Sequence, residues 1–282
     1  MPNLNATIVE KLPLHVPSPV TQRRIAAVLS AFDDLIEINE RRIELLESVA
    51  RSLYQEWFVR FRFPGHEALA DDGESVPDGW TVRRFEDFAE VVSDGVAPDE
   101  VPLDSPYVGL EHLPRRQTTL RDWAHPESVT SRKLRFMAGD TLFGKIRPYF
   151  HKVVWAPFDG IASSDAIVLH PRDEGSHAAF VNTVAASDQL VAISVATSNG
   201  TKMPRADSRA LLNYELAVPD DTLLGRFEGI ARPLLGRGAD LVAHNRALAA
   251  TRDLLLPRLV TGRLDIDDIN LGDLLSEPAP AT

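Results

Sequence analysis

Two stretches of the chain carry apolar side chains at alternating spacings of three and four residues, the periodicity of one face of a long helix. The first face consists of Ile25, Val28, Phe32, Leu35, Asn39, Ile43, Leu46, Ala50, Leu53 and Trp57. The second consists of Phe227, Ile230, Leu234, Gly238, Leu241, Asn245, Leu248, Arg252, Leu255 and Leu259. Each pattern contains an additional step of four, as in a coiled coil with a stutter. Helices of about 60 Å are longer than a compact domain usually contains, so we expect the two to pack together.

An antiparallel arrangement gives these two faces a definite register. Facing positions then have numbers that sum to 284, pairing Ile25 with Leu259, Phe32 with Arg252, Asn39 with Asn245, Ile43 with Leu241 and Trp57 with Phe227. A buried asparagine pair fixes the register of a coiled coil at some cost in stability. We therefore predict an antiparallel coiled coil. The alternative is two surface helices of a larger globule, with the asparagines at caps or in solvent.

The region between the helical patterns predicts a linker and a mixed α/β domain. The segment "PGHEALADDGESVPDG" is rich in proline, glycine and acid, which is typical of an exposed linker. Short apolar runs follow, separated by Gly, Pro and Asp, and predict strands: "YVGL", "DTLFGKI", "KVVWAPF", "AIVLH" and "YELAV". The run "AAFVNTVAAS" between them predicts a helix.

The charge distribution allows a nucleic-acid partner without requiring one. The net charge is −11, but 13 Lys and Arg against 10 Asp and Glu give residues 105–210 a charge of +3. Phosphate contacts need local positive charge and not a basic whole protein. The alternative is that a window at +3 lies within ordinary scatter.

Cysteine and long apolar segments are absent from the sequence. The cysteine count of zero excludes disulfides and thiolate chemistry. No apolar run reaches the roughly 18 residues of a membrane span, and the N-terminus lacks the apolar segment of a signal peptide. We expect a cytoplasmic protein that does not enter a membrane.

The stretch "AGDTLFGKIRPYF" approaches the sequence of a nucleotide-binding loop without matching it. Such a loop needs Ser or Thr after its lysine for Mg²⁺, and a helix whose N-terminus faces the phosphates. Here Ile146 follows Lys145, and Pro148 disfavours a helix at this point. We predict that Lys145, Arg147 and Tyr149 lie on an exposed turn suited to phosphate or guanine contacts. The alternative is a solvated turn whose cations pair with nearby acids.

Motifs for catalysis and cofactor binding are also absent. The sequence contains no acid-x-Lys element, no paired histidine spacing for a metal, no Gly-x-Ser-x-Gly and no Gly-x-Gly-x-x-Gly. We predict that the chain is not an enzyme and binds no cofactor or metal of its own.

Several segments together resemble one protein family, the specificity subunits of type I restriction–modification enzymes. The resemblance extends from about residue 8 to residue 266. It is carried by the helix start "TQRRI", the segment "GDTLFGKIRP" and the ending "LLPRLVTG". It implies target-recognition domains that each read one half of a split DNA sequence, joined by two antiparallel helices that set the spacing. The helices also dock methyltransferase subunits, which carry S-adenosylmethionine, while a separate motor–nuclease subunit uses ATP and Mg²⁺.

The resemblance gives the following division of the chain. We expect a remnant strand of a missing recognition domain at 1–18, a first long helix at 19–63 and a linker at 64–79. A target-recognition domain at 80–220, a second long helix at 221–261 and a C-terminal tail at 262–282 follow. The fold class is mixed α/β with two long helices forming a coiled coil.

One departure from the family concerns the number of recognition domains. Members of the family usually carry two recognition domains, whereas this sequence predicts one. We therefore expect either a homodimer or pairing with another half-subunit. The orphan strand "TIVEKLPLHV" would supply the contact, because an unpaired strand edge invites another chain.

The resemblance also implies a set of DNA-facing side chains: Arg115, Arg116, Gln117, Lys145, Arg147, Tyr149, Ser163, Ser164, Asn199, Thr201 and Lys202. Alternatives stay open for three of the loops. "RRQTT" is also typical of a solvated charged loop, "SNGTK" of a plain glycine turn, and "GIASSD" of a turn closed by Ser and Asp. The function predicted is therefore DNA-binding specificity. The alternative is a half-subunit that mainly binds other specificity or methyltransferase subunits.

Overall fold

The computed structural model describes residues 16–65, 76–125, 131–173, 175, 177–200 and 202–266. The helices are α1 (Pro19–Tyr54), α2 (Ala178–Ala185), α3 (Asp188–Ala196), α4 (Ser208–Leu212) and α5 (Asp221–Val260). The strands are β1 (Thr81–Arg84), β2 (Ala89–Val91), β3 (Gly95–Val96), β4 (Tyr107–Val108), β5 (Lys133–Phe136), β6 (Thr141–Gly144), β7 (Val153–Trp155), β8 (Gly160–Ala162), β9 (Ala166–Pro171) and β10 (Glu215–Val218). The chain divides into two compact units, Met1–Arg41 with Ala243–Thr282 and Arg42–Val242.

The first unit contains the beginning of α1 and the end of α5 in antiparallel contact. Its core is an apolar cluster formed by Ile25, Val28, Phe32, Leu248, Leu259 and Ile266. Asn39 is fully buried and donates to Asn245 Oδ1 at 2.9 Å, which places the two asparagines opposite each other as the 284 register predicts. Arg252, which the register places opposite Phe32, does not pair with an apolar side chain: its guanidinium forms an ion pair with Asp33. An arginine near an apolar cluster keeps its charged end at the surface in this way.

The second unit contains the remaining parts of both long helices, packed through apolar residues. Ile43 and Leu241 share one cluster, and the rings of Trp57 and Phe227 lie 6.1 Å apart. The α-helical part of α1 ends at Tyr54, and a π-helical turn at Gln55–Val59 follows. The long helix predicted to continue to residue 63 therefore changes its hydrogen bonding near its end, and Phe61 then adopts φ 56°.

In the described part of the second unit, ten strands form three small sheets. β1 pairs with β10, the order β2-β9-β6-β7 makes an antiparallel sheet, and the order β3-β5-β8-β4 makes a mixed one in which β4 and β8 are parallel. Four of the five apolar runs predicted as strands contain β4, β6, β7 and β10, and the fifth covers β9 except for Pro171. The run predicted as a helix contains α2. The mixed α/β fold class follows from this arrangement. Most of the linker and of the remnant-strand prediction lies outside the described residues.

An aromatic cluster joins the sheets to the helices of the second unit. Phe180 of α2 contacts Phe58, Phe88 and Phe227, with ring centroids 5.1, 5.2 and 6.2 Å away. Glu228 of α5 is buried beside them and accepts the backbone N–H groups of Ala179 (2.9 Å) and Phe180 (3.1 Å). These N–H groups have no partner within α2, because they belong to its first turn. Burial nevertheless raises the pKa of Glu228 above its usual value.

Candidate nucleic-acid interface

Backbone hydrogen bonds join three distant chain segments at the turn after β6. The N–H of Lys145 donates to Asp165 O at 2.8 Å, and Lys145 O accepts the N–H of Ala206 at 2.8 Å. The N–H of Arg147 donates to Pro204 O at 2.7 Å. Because these bonds are between backbone groups, the position of the turn is fixed independently of the side chains it presents.

The geometry of this segment is unlike that of a nucleotide-binding loop. Residues Thr141–Gly144 are a buried strand of the antiparallel sheet, whereas a phosphate-binding loop is open and leads into a helix. After Lys145 the chain makes one 3₁₀ turn, Pro148–Phe150. Such a short turn does not present a row of aligned N–H groups to a phosphate.

Left-handed backbone marks both ends of the 3₁₀ turn. Arg147 has φ 51° and His151 has φ 52°, and neither is glycine. Arg116 (φ 56°) is joined to this turn by its N–H, which donates to His151 O at 2.8 Å. Strained backbone of this kind persists where the surroundings fix it, and it concentrates at functional sites.

Two rings and an arginine form the exposed end of the turn. The guanidinium of Arg115 lies over the ring of Phe150, 3.9 Å from its centroid. Tyr149 packs against the same ring at 4.8 Å and is 51% exposed. The cation–π contact holds Arg115 at the surface with hydrogen-bond donors left over. Arg115, Phe150 and Tyr149 thus come together although 34 positions separate the first from the last.

Asn199 and Arg205 form an antiparallel bridge beside this turn. The N–H of Asn199 donates to Arg205 O at 3.0 Å, and the N–H of Arg205 donates to Asn199 O at 2.9 Å. Gly200 has φ 96°, a conformation that suits glycine. Asn199 and Lys202 are exposed, and Thr201 lies outside the described residues. The glycine turn and an exposed cation therefore occur together here.

The two predicted serines differ in their surroundings. Ser163 is half-buried: its N–H donates to Val108 O at 2.9 Å and its hydroxyl accepts the N–H of Asp165 at 3.2 Å. These bonds favour the structural interpretation of this turn. Ser164 is exposed next to it. Asp165 links the turn to Lys145 through the backbone bond described above.

Arg116 and Gln117 face a different part of the second unit. The guanidinium of Arg116 donates to Asp188 Oδ1 at 3.2 Å at the start of α3. Gln117 is half-buried and lines an enclosed pocket together with Arg51 and His151. The side chain of Arg116 thus pairs with Asp188, whereas that of Arg115 covers the ring of Phe150.

Two cations of this region are absent from the sequence-based set. Arg205 is exposed and pairs its backbone with Ile146 of the turn. Lys152 donates to Leu110 O at 2.6 Å, and its pKa is lowered by burial and then by the nearby Arg115. Arg205 lies three positions after Lys202, so extending the glycine-turn motif to the next cation would have found it. No local signal identifies Lys152.

A shallow groove connects these segments, lined by Leu110, Glu111, Arg115, Ile146, Arg147, Phe150, Lys152 and Met203. We use the name Lys145 face for six side chains of these segments: Arg115, Arg147, Tyr149, Lys202 and Arg205, which are exposed, and Lys145, which is half-buried where the sequence predicts an exposed turn. Five of these six side chains are cationic. The arrangement can bind an extended anion by hydrogen bonds and charge, with Tyr149 as a stacking or apolar contact.

The described residues contain neither a metal-binding cluster nor a single helix that could span a membrane. No group of three or more His, Asp or Glu side chains within the described ranges could hold a metal ion. No single helix in the described part of the chain is long and apolar enough to cross a membrane, although the bent pair of α2 and α3 has the length and composition for it.

Comparison with known proteins connects the chain to one family. The profile of the type I restriction modification DNA specificity domain matches residues 1–48. The MjaIX specificity subunit of a type I restriction enzyme from Methanocaldococcus jannaschii is 26% identical over 95% of this chain and 64% of its own length. The EcoDI specificity subunit from Escherichia coli is 23% identical over 90% of this chain and 62% of its own length.

A solved structure gives the same result for the fold. The S subunit of a type I restriction–modification system from M. genitalium superposes with a TM-score of 0.57 at 13% identity, covering 86% of this chain and 61% of that one. The chain thus spans about three fifths of the length of the relatives it matches. The sequence similarities agree with the resemblance to specificity subunits that the sequence indicates. The structural match confirms the predicted fold class.

Proposed function

We propose that this chain, a relative of the specificity subunits of type I restriction–modification enzymes, binds duplex DNA through the Lys145 face. One observation carries the proposal: backbone bonds fix three distant segments that carry five cations and a tyrosine, with Arg115 and Arg147 lining one groove. Phosphate contacts position a protein on DNA, and arginine or lysine can read guanine edges. The chain itself would perform no chemistry in this role.

The partners follow from the same role. The chain would direct methyltransferase subunits, and a restriction subunit where present, to a split DNA target. S-adenosylmethionine, ATP and Mg²⁺ would be bound by those subunits and not by this chain. A second recognition domain, from another copy or another half-subunit, would read the other half of the target. Light scattering of the pure chain, followed by mapping of methylated sites in cells, separates a symmetric from an asymmetric assembly.

The test compares single alanine variants of two cations of the face. Lys145→Ala and Arg147→Ala, assembled with the methyltransferase subunit, are titrated with duplex DNA of mixed sequence over a range of salt concentrations. If the side chain contacts phosphate, affinity falls for all sequences and the log–log salt slope decreases by about 1. If it contacts a guanine, about 1–3 kcal/mol is lost at one base position.

Arg84→Ala is the matched control for this test. Arg84 is exposed like Arg147 but lies on β1, which belongs to the separate two-stranded sheet. Its removal should leave both the affinity and the salt slope unchanged. Equal binding by all three variants and the original chain would remove the Lys145 face from the DNA interface.

A specific observation favours a second candidate function, protein interaction through α1. Leu45 and Val49 lie one turn apart on this helix and are 66% and 51% exposed. Contiguous exposed apolar surface is a common feature of protein contacts, and these two side chains would contribute to such a surface. In that case the chain alone would show no salt-dependent DNA binding, and Leu45→Ser would weaken its association with the methyltransferase subunit. Lys145→Ala would leave that association unchanged.

A further inference from the structure

A buried carboxylate on α1 holds the backbone of the loop that presents Arg115. The side chain of Glu47 is 5% exposed. Its Oε1 accepts the N–H of Thr118 at 3.1 Å and the N–H of Thr119 at 2.8 Å. Hydrogen bonds to an ionised acceptor are among the stronger ones in proteins. The loop is therefore tied to α1 three and four residues after Arg115.

A second side chain of α1 reaches the same loop one helical turn later. Arg51 Nη2 donates to Arg116 O at 3.2 Å. The N–H of Arg116 is bonded to His151 O, so both backbone groups of this left-handed residue are held. Because a left-handed conformation is unfavourable for a residue with a Cβ atom, the loop would relax without such contacts.

The opposite side of the loop is held by β7 and α5. The N–H of Trp155 donates to Thr118 O at 2.8 Å. The side chain of Thr119 packs on Gly238, where an added Cβ would lie 3.1 Å from the threonine hydroxyl. The segment 116–119 is thus contacted from both sides, by α1 on one and by β7 and α5 on the other.

We infer that Glu47 and Arg51 are positioning residues for DNA contact by the Lys145 face. They fix the segment 116–119 so that Arg115 stays over Phe150 with its donors outward. This inference rests on the proposed function. It adds that α1, which contributes no side chain to the face, determines how part of the face is presented.

A double-mutant cycle on duplex binding tests the inference. Arg115→Ala is expected to weaken binding of mixed-sequence duplex by about tenfold. Glu47→Ala should weaken it by a similar factor, because Arg115 is then no longer held in place. The double variant should bind no worse than either single one, since both changes remove the same contact. In the variant that combines Lys145→Ala with Glu47→Ala, the fold-losses of duplex affinity of the two single variants should multiply.

Two further variants separate positioning from general loss of structure. Glu47→Gln keeps an oxygen that can accept both N–H groups and should restore most of the affinity. Glu44→Ala, an exposed glutamate on the same helix, should change nothing. If Glu47→Ala does not fold, Arg51→Ala replaces it in the cycle, because it removes only the bond to Arg116 O. Amide exchange at Thr118 and Thr119 should be slow in the original chain and fast in Glu47→Ala.

The outcomes distinguish this inference from the proposed function. The positioning role would be overturned if the losses of DNA affinity caused by Glu47→Ala and Arg115→Ala multiplied in the double variant. It would also be overturned if amide exchange at Thr118 and Thr119 were unchanged in Glu47→Ala. If Lys145→Ala still weakens DNA binding in that case, the proposed function stands without the positioning role. If Lys145→Ala, Arg147→Ala and Arg115→Ala all bind DNA normally, the proposed function fails, and the positioning role fails with it.

Discussion

Individual residues at the Lys145 face depart from ordinary backbone conformations. Arg116, Arg147 and His151 all have positive φ. The N–H of Arg116 donates to His151 O, and Arg147 O accepts the N–H of Phe150, the residue before His151. Each such residue costs on the order of 1–3 kcal/mol. The aromatic cluster and three small sheets of the second unit provide the stability that offsets this cost. Three of the four left-handed non-glycine residues in the described part of the chain therefore lie at or next to this face, and the fourth, Phe61, packs against Trp80.

His151 makes this part of the molecule sensitive to pH. One ring nitrogen, Nε2, bonds to Ala186 O at 2.8 Å, and the other lies 3.6 Å from Asp188 Oδ1. Burial lowers the pKa of His151; the bond to Ala186 and the charge of Asp188 raise it, while Arg116 and Arg51 lower it. The balance leaves the folded pKa below the unfolded value. Unfolding then takes up a proton at moderately acidic pH.

We predict that His151 reduces stability as the pH falls below about 6.5. The unfolded state binds the proton more tightly, so the free energy of unfolding decreases there and is constant well above that pH. His151→Gln removes this contribution while keeping a group that can donate to Ala186 O. Urea unfolding between about pH 5 and 8 should show that the free energy of unfolding of the variant increases relative to that of the original chain as the pH falls. A stability difference that is the same at every pH would contradict the prediction.

At the scale of elements, α5 is a poor helix by local propensity. Its 40 residues include Gly225, Gly229, Gly236, Gly238 and Pro233. Each glycine costs about 1 kcal/mol relative to alanine in a helix interior, and proline costs about 3. The helix is nevertheless continuous from Asp221 to Val260. Packing along its apolar face must therefore stabilise it, as the Phe227 contacts illustrate.

The glycines of α5 should respond differently to replacement by alanine. Gly229→Ala is expected to raise the free energy of unfolding by up to about 1 kcal/mol, because nothing lies within 4 Å of the added Cβ. Gly238→Ala gains the same propensity but places its Cβ 3.1 Å from Thr119 Oγ1. It should therefore gain less, or lose stability, as measured by urea unfolding. Equal gains at both positions would show that the loop at Thr119 is not held tightly.

Periodicity and turn signals predicted most elements of this fold but only part of the candidate site. The spacing of Phe227 and Leu259 on one helix face follows from a local pattern, and so does the strand before Lys145. The bond from Glu47 to Thr119 and the stacking of Arg115 on Phe150 join residues far apart in sequence. No local pattern encodes such contacts. Whether the predicted side chains bind DNA depends on how these nonlocal contacts aim them.

The whole molecule combines two units with very different cores. The first unit holds its cluster of six buried residues around the ends of two helices, whereas the second contains the aromatic cluster and three sheets. Small cores bury a smaller fraction of their surface and open at lower free energy. We therefore expect the first unit to open before the second.

Asn39 provides the test of this order of opening. It is fully buried in the first unit and bonded to Asn245, so Asn39→Ala leaves that acceptor unsatisfied and should cost about 1–3 kcal/mol. Asn39→Leu with Asn245→Leu removes both polar groups and should restore much of the loss. Amide exchange should become faster in residues 19–41 and 243–260 in the single variant, while Thr118 and Thr119 of the second unit stay protected. Equal acceleration in both units would mean that the chain opens as one cooperative body, because a defect in the smaller core would then reach the Lys145 face.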